Sequence, residues 1–476
     1  MPTPPRRPAS PTSGAASGPA GPPRRLLALV DGSNFYCACE RAFRPDLQHK
    51  PVAVLSNNDG CVIARSEEVK AMGVAMGAPF FRVRERLARE GVAVFSSNYE
   101  LYADLSRRVM EALSTFTPDV EVYSIDEAFL ALPTPRAAGR PELREHGRLT
   151  ELARQIRRRV LRWTGIPVRV AIAETKTLAK VGSAWAKRLR ERGEEPAVSL
   201  YGLPGPALDS VLASVPVGDV WGIGRAYGRR LPQHGVLTAL DLRDLDEAWA
   251  RRHLRVTGLR TVLELRGLSC IPLEEAPPPR RSLVRSRSFS RPVTSLVELK
   301  EAVATHTARA CEKLRAEGLA ARALSVFFHT GHEGAKGPHR SASLAVELGH
   351  PSNRTPELLR VALRLVEEVW KEKDERGRPY PYRKAGVIVL DVTRAEPEQG
   401  RLFLPEHADP QAVDALLEAV DRVNGRFGKG AVFFGAEGTS RRDGETETGH
   451  QWAMKRQKRS PAYTTRWGDR HVVHAR

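Results

Sequence analysis

Leu26-Leu27-Ala28-Leu29-Val30 is an unbroken apolar run that stops on an acid, Asp31. The run is far shorter than the roughly 20 residues of a membrane-spanning helix. An apolar stretch of this length reads as a buried strand, with a carboxylate at its end. The pattern recurs along the first 190 residues. Val52-Ala53-Val54-Leu55 predicts a second strand, ended by the turn-prone Asn57-Asn58-Asp59-Gly60. Residues 64–73 read as a helix stopping at Gly73, and Tyr99 to Phe116 has helical spacing. Val120 to Tyr123 alternates as a strand, and Ala128 to Leu132 reads as its partner. Ser124 to Glu127 lie at the bend between them. A basic helix over 148–163, a strand over Val168–Ile172 and a helix to about Arg190 follow. Strands alternating with helices predict an α/β or α+β domain.

Beyond residue 195 the pattern changes. Residues 208–268 carry short helical patterns broken by Gly and Pro, which predicts a small helical domain. Pro277-Pro278-Pro279 marks a linker into Arg280, Arg281, Arg285, Arg287 and Arg291, with no acid among them. Residues 295–393 return to mixed helices and strands, with Val387 to Leu390 the last clear strand. Past 396 the chain is polar, with one helical stretch over 410–423 and a basic end. Residues 1–24 are rich in Pro, Ala, Ser, Gly and Arg, hold no acid, and predict a disordered tail without the apolar stretch of a secretory signal. There is no internal repeat. At 476 residues the chain has room for several domains, and 41% hydrophobic residues can fill their cores. The net charge of +19 favours polyanionic partners. Cys37, Cys39, Cys61, Cys270 and Cys311 are an odd, scattered set without a CxxC pair. They fit a reducing compartment better than a disulfide framework or a structural zinc site.

Asp31 and the pair Asp126-Glu127 are the residues with chemistry to offer. Carboxylates at the ends of neighbouring strands can converge on hard divalent cations such as Mg²⁺, which are commonly shared with substrate phosphates. Two ions about 3.5–4 Å apart can stabilise the attacking and leaving oxygens of an in-line displacement. One geometric objection stands, because neighbours on a regular strand face opposite ways. Asp126 and Glu127 can share a site only if the hairpin bends there. Taken alone, an Asp-Glu pair is more often surface charge.

Asp31-Gly32-Ser33-Asn34-Phe35-Tyr36 and Tyr123-Ser124-Ile125-Asp126-Glu127-Ala128-Phe129 resemble the two catalytic motifs of the Y-family, lesion-bypass DNA polymerases. Ser56 to Arg65 (SNNDGCVIAR) and Phe95 to Asp104 (FSSNYELYAD) resemble the UmuC branch of that family, the catalytic subunits of bacterial DNA polymerase V. The similarity runs from about residue 26 to residue 467. It implies an α+β multidomain, right-hand-like polymerase with palm, small fingers, helical thumb and α/β little finger. The implied boundaries are a palm of 25–34 and 101–190, fingers of 35–100, and a thumb of 191–270. A linker of 271–283, a little finger of 284–395 and an accessory segment of 396–476 complete the chain.

The resemblance also implies roles. Asp31, Asp126, Glu127 and the Gly32 carbonyl match positions that hold two Mg²⁺ ions. Tyr36, beside Phe35 in the nucleotide pocket, matches a steric gate that excludes a ribose 2′-hydroxyl by collision. Many relatives carry an acid where this chain has Ser33, but the UmuC branch does not. Lys180, with Lys176 nearby, matches the lysine that meets the incoming triphosphate. Lys70 matches a second phosphate contact where relatives often have Arg, whose bidentate fork Lys cannot reproduce. Gly222-Ile223-Gly224 resembles the turn of a helix-hairpin-helix that holds the DNA backbone, and a tight Gly-x-Gly turn can expose backbone N–H groups to a phosphate. Arg285 and Arg287 sit where a little finger meets DNA.

Gln399-Gly400-Arg401-Leu402-Phe403 fits the Q-x-x-L-F pattern of sliding-clamp ligands, with Gln399, Leu402 and Phe403 as anchors. Residues 451–456 and 460–467 resemble the UmuC carboxyl-terminal segment, which implies a UmuD-type accessory subunit and a RecA-type recombinase filament as partners. By composition alone that segment is a basic tail with aromatics. The expected activity is error-prone, template-directed translesion synthesis from dNTPs on primer-template DNA in the SOS response. The expected location is the bacterial cytoplasm, at the nucleoid, with no membrane association. Two other classes stay open at this level: a non-catalytic DNA-binding accessory protein on a polymerase fold, and nucleotide-cyclase-like chemistry on a related palm.

Overall fold

The computed structural model describes residues 25–132, 142–274, 279–331, 337–395, 410–438 and 452–469. The expectations for residues 1–24 and for the clamp peptide at Gln399, Leu402 and Phe403 lie outside the described residues. The chain divides into two compact units. The first comprises Met1–Leu55, Cys61–Pro277 and Lys458–Arg476; the second comprises Ser56–Gly60 and Pro278–Gln457.

Among the described residues, eight strands build the first unit: β1 Leu26–Gly32, β2 Val52–Leu55, β3 Val62–Arg65, β4 Ala93–Ser96, β5 Val120–Val122, β6 Glu127–Leu132, β7 Val168–Ala173 and β8 Ala197–Ser199. Five of them form one sheet in the order β5-β6-β1-β7-β8. β1 is its central strand, antiparallel to both β6 and β7, and all seven of its residues are buried. Central position and cover on both faces explain why Leu26 to Val30 are continuously apolar rather than alternating. Ala28 and Val30 face a core filled by the Tyr99–Ser114 and Glu142–Thr164 helices. Leu29, Phe129 and Ala171 face the other core, filled by the Lys176–Glu191 helix and the Gly205–Ser214, Ala239–Arg243 and Glu247–Leu265 helices.

A second sheet, β3-β2-β4, has its own small core of Ala53, Leu55, Val62, Val69 and Leu87. It corrects one expectation. Residues 64–73 are not a single helix: Val62–Arg65 pairs with β2 as β3, and the helix spans only Glu67–Ala71. Val62 and Ala64 are buried while Ile63 and Arg65 are half-exposed, the two-residue period of a strand.

The second unit holds β9 Ser282–Val293, β10 Leu319–His329, β11 Ser341–Ser352 and β12 Tyr382–Arg394, an antiparallel sheet in the order β11-β10-β12-β9. The Leu296–Ala316 and Thr355–Val369 helices pack on it around Leu299, Val303, Leu358, Leu365 and Val387. Trp452 is also buried in this core, beside Phe289 and His306. It is therefore a packed side chain and not part of a solvated tail. All five cysteines are free thiols.

Candidate active site

Strand register brings the first two acids together. Asp31 on β1 lies directly opposite Glu127 on β6, and on its other side directly opposite Arg169 on β7. All three share the face of Leu29, Phe129 and Ala171, because side chains two residues apart on a strand point the same way. Asp31 is 8% exposed, and its Oδ2 accepts a hydrogen bond from Arg169 Nη2 at 2.5 Å. Burial pushes the Asp31 carboxyl up to about 6, Glu127 adds to that rise, and the Arg169 guanidinium opposes it. Lys180, one turn into the Lys176–Glu191 helix, donates from Nζ to Glu127 Oε2 at 2.8 Å. Its ammonium also lies 4.5 Å from the Tyr123 ring centroid.

Asp126 reaches the site by the bend that the sequence required. It precedes β6 and lies outside the regular strand. Ser124 Oγ donates to Asp126 Oδ1 at 2.7 Å and accepts from the Asp126 and Glu127 backbone N–H groups at 3.3 and 3.1 Å. The Gly32 N–H donates to the Asp126 carbonyl at 2.7 Å, tying the bend to the end of β1. A Cβ at Gly32 would stand 3.3 Å from Asp126 Cβ and 3.1 Å from the Phe35 ring, so glycine permits this close approach.

These residues supply oxygen ligands only, the donor set of a hard divalent cation. Among the described residues no three His, Cys, Asp or Glu side chains are gathered tightly enough to hold a metal ion. Asp31 and Glu127 instead each hold a basic side chain, so the arrangement already binds positive charge. The carboxylates fit divalent ions on that ground.

Phe35 is buried against the core below the sheet. Tyr36 is half-buried, with its ring stacked on Tyr102 at 4.5 Å between centroids and edge-on to Tyr99 at 6.1 Å. Burial, Tyr99 and Asp126 all raise the Tyr36 hydroxyl pKa, which puts this ring beside the acidic bend. Lys70 is held locally: its Nζ donates to Asn34 Oδ1 at 2.5 Å and to Glu67 Oε1 at 3.1 Å.

Lys176 differs from the expectation. Its side chain is 3% exposed and its Nζ donates to both Glu121 oxygens, at 2.8 and 2.6 Å. A phosphate cannot reach an ammonium so enclosed, so Lys176 is the counter-charge of a buried carboxylate. Ile223 is likewise corrected: its side chain is buried and its N–H donates to the Val220 carbonyl at 3.0 Å. Gly222 and Gly224 are exposed, and Gly222 has φ +93°, a conformation side chains resist. The turn follows the 3₁₀ segment Val217–Asp219 and leads into the short Arg225–Arg230 helix. In the second unit, Arg287 is exposed and Arg285 half-buried on β9, and the Arg285 guanidinium pKa is lowered by burial and by Arg287.

Arg169 is the site residue that sequence reading missed. Only the β1–β7 register sets it opposite Asp31, and no local motif announces that pairing.

The impB/mucB/samB family model matches residues 30–184, and the model of that family's C-terminal domain matches 280–402. A domain of unknown function matches 414–473. The chain is 42% identical to protein UmuC of Salmonella typhimurium, across 93% of this chain and 99% of that protein. It is 39% identical to protein ImpB of Salmonella typhimurium, across 93% and 98%. It is 29% identical to DNA polymerase IV of Brucella melitensis, across 86% and 84%. A solved Y-family DNA polymerase chimera shares the fold at a TM-score of 0.57 and 19% identity, covering 77% of this chain and 99% of that one.

Proposed function

The chain belongs to the impB/mucB/samB family, the UmuC-like Y-family DNA polymerases, and on that premise we propose how its residues divide the work of error-prone translesion synthesis. The family makes it a DNA-directed DNA polymerase that depends on divalent metal. In our reading Asp31, Asp126, Glu127 and the Gly32 carbonyl hold two Mg²⁺ ions, which would supply Lewis-acid activation of the primer hydroxyl and charge neutralisation at the triphosphate. The observation that carries this reading is the cross-strand pair Asp31–Glu127, with the bend that delivers Asp126 beside it.

The protein's own groups then bind and orient. Lys180, now paired with Glu127, turns to the triphosphate, and Lys70, held by Asn34, is the second phosphate contact. Both act as point charges. Tyr36 closes the sugar subsite against a 2′-hydroxyl. Gly222, Gly224, Arg285 and Arg287 hold the phosphate backbone of primer-template DNA without reading its sequence. Positioning of this kind supplies most of the rate enhancement in phosphoryl transfer. The sliding clamp docks on Gln399, Leu402 and Phe403. A UmuD-type subunit and a RecA-type filament complete the assembly at the nucleoid. No helix of the described residues is long and apolar enough to cross a membrane.

The test is primer extension across an abasic site with Mg²⁺ and dNTPs. Wild type runs beside an Asp126→Ala/Glu127→Ala double variant, each with and without a UmuD-type partner and activated recombinase. Bypass by wild type alone is expected. Salt-sensitive DNA binding without extension under any condition would overturn the reading in favour of an accessory protein.

A further inference from the structure

Residues 458–463, at the far end of the matched domain of unknown function, run across the first unit and connect, through Glu40 and Tyr102, to the tyrosine proposed as the sugar gate. Arg459 bridges the edge strand β4 at Ser96. The Ser96 N–H donates to the Lys458 carbonyl at 3.0 Å, and the Lys458 N–H donates to Ser96 Oγ at 2.9 Å. The fully buried Asn98 then donates from Nδ2 to the Ser460 carbonyl at 3.1 Å, to Ser460 Oγ at 3.0 Å and to the Pro461 carbonyl at 3.3 Å. Two residues on, Tyr463 stacks on Phe43 at 4.8 Å.

Ser460 is the pivot. Its hydroxyl donates to Glu40 Oε1 at 3.0 Å, and the same oxygen accepts from the Tyr102 hydroxyl at 2.6 Å. Glu40 and Tyr102 are both 0% exposed. Tyr102 lies parallel to Tyr36, 17° between planes. A buried carboxylate is costly without donors, so Glu40 has a reason to keep both hydroxyls in place. Holding the Tyr102 hydroxyl fixes that ring within its own plane, and the stacked Tyr36 ring is fixed with it. Asn98 adds a second route, because its Oδ1 accepts from the Leu101 N–H at 3.4 Å and caps the helix that carries Tyr99 and Tyr102.

We propose that residues 458–463 are an intramolecular strap whose Ser460 hydroxyl, through Glu40 and Tyr102, positions Tyr36 and so sets how strongly the enzyme rejects ribonucleotides. The proposal rests on the reading of Tyr36 as the sugar gate. Ser460 and Tyr102, both buried, act through Tyr36 and are positioning residues. The strap assigns a role to residues 362 and 420 positions away in sequence from Asn98 and Glu40, the side chains they meet.

The experiment compares dNTP and rNTP incorporation opposite an undamaged template base, in the assembly in which the wild-type full chain is active. The readout is the ratio of the two kcat/KM values for Tyr36→Ala, Tyr102→Phe, Ser460→Ala and Ser460→Thr. Tyr36→Ala should collapse the discrimination. Ser460→Ala and Tyr102→Phe should lower it about three- to tenfold, the worth of one hydrogen bond. Ser460→Ala should keep its kcat/KM for dNTP within about threefold by the same scale, and Ser460→Thr, which restores a hydroxyl, should recover the ratio. Wild-type ratios in Ser460→Ala and Tyr102→Phe, with discrimination lost in Tyr36→Ala, overturn the strap and leave the gate standing. An equal fall in dNTP and rNTP use by Ser460→Ala also overturns it, as a purely structural effect. An unchanged ratio in Tyr36→Ala overturns the gate reading itself.

Discussion

Replacing Lys176 by Met separates a structural counter-charge from a phosphate ligand. The ammonium lies 2.6–2.8 Å from two Glu121 oxygens, inside the first unit, with Phe129 5.2 Å from it. At an effective dielectric near 20, unit charges that close attract by roughly 6 kcal/mol. Taking both ions out of water costs several kcal/mol each, so the intact pair is close to neutral for stability. Removing one partner is different. Glu121 would keep the Glu274 N–H at 2.7 Å but lose its ammonium. The expected loss is about 3–5 kcal/mol, a large share of the roughly 5–15 kcal/mol that hold a domain together. Adding Glu121→Leu removes the stranded charge, so the Lys176→Met/Glu121→Leu double variant should regain most of the loss. Urea unfolding measures the stability, and steady-state dNTP incorporation by the double variant measures substrate binding. Restored stability with an unchanged KM is expected. A double variant as stable as wild type, but with KM for dNTP raised tenfold or more, would refute the reasoning and return Lys176 to the triphosphate.

Other outcomes follow from the same contacts. Arg285→Ala and Arg287→Ala should each weaken DNA binding irrespective of sequence and reduce the slope of log K against log salt by about one; fluorescence anisotropy at several salt concentrations reads this, and an unaltered slope would remove them from the interface. Burial holds the His306 imidazole down at about 3, with Arg285 and Arg287 adding to the effect. The unfolded chain therefore binds a proton below pH 6.5 that the folded chain refuses, so the second unit loses roughly 2 kcal/mol by pH 5. His306→Phe should abolish that acid loss in urea midpoints at pH 5 and 7.5. Glu40 works the other way, because burial pushes its carboxyl up to about 7 from 4.5. Its contribution is full below pH 4.5 and is lost as pH rises through 7, by about 3 kcal/mol at most. Glu40→Gln should flatten that decline, and a melting curve as pH-dependent as wild type would count against it. Leu402→Ala with Phe403→Ala should abolish clamp binding in a pull-down while distributive synthesis persists.

The strands were legible because they are pure. β1, β6 and β7 each carry an apolar run bounded by turns or acids, with Arg169 the one charge inside β7, so existence and type both follow from the run. The 64–73 segment was misread because Ala64, Arg65 and the residues after them satisfy a helical period locally, and the pairing of Val62 and Ala64 with β2 is a tertiary fact. The same distinction governs the site. Asp31 and Glu127 stand out at strand ends, but Lys176 and Lys180 are alike in sequence, four residues apart on one helix. One points to Glu121 and is enclosed, and the other points to Glu127 and is partly open. Arg169 and Ser460 were invisible for a stronger reason: their partners are 138 and 420 residues away.

The carboxylate cluster also explains its own escorts. Asp31, Asp126 and Glu127 bring three negative charges to one strand end, and the Asp31 and Glu127 side chains are 11% and 20% exposed. Arg169 answers Asp31 and Lys180 answers Glu127, both carried on β7 and the helix that follows it. Burial and the neighbouring Glu127 raise the Asp31 carboxyl to about 6, and Arg169 opposes that rise. Yet among the described residues each escort makes one hydrogen bond to its carboxylate and keeps some exposure, 21% for Arg169 and 16% for Lys180. Such a pairing can be exchanged, whereas the fully enclosed Lys176–Glu121 pair cannot. Exchangeable cations at Asp31 and Glu127, beside a fixed one at Glu121, are what a site needs if it must fold with its charges balanced and then surrender that balance to a substrate that brings phosphates.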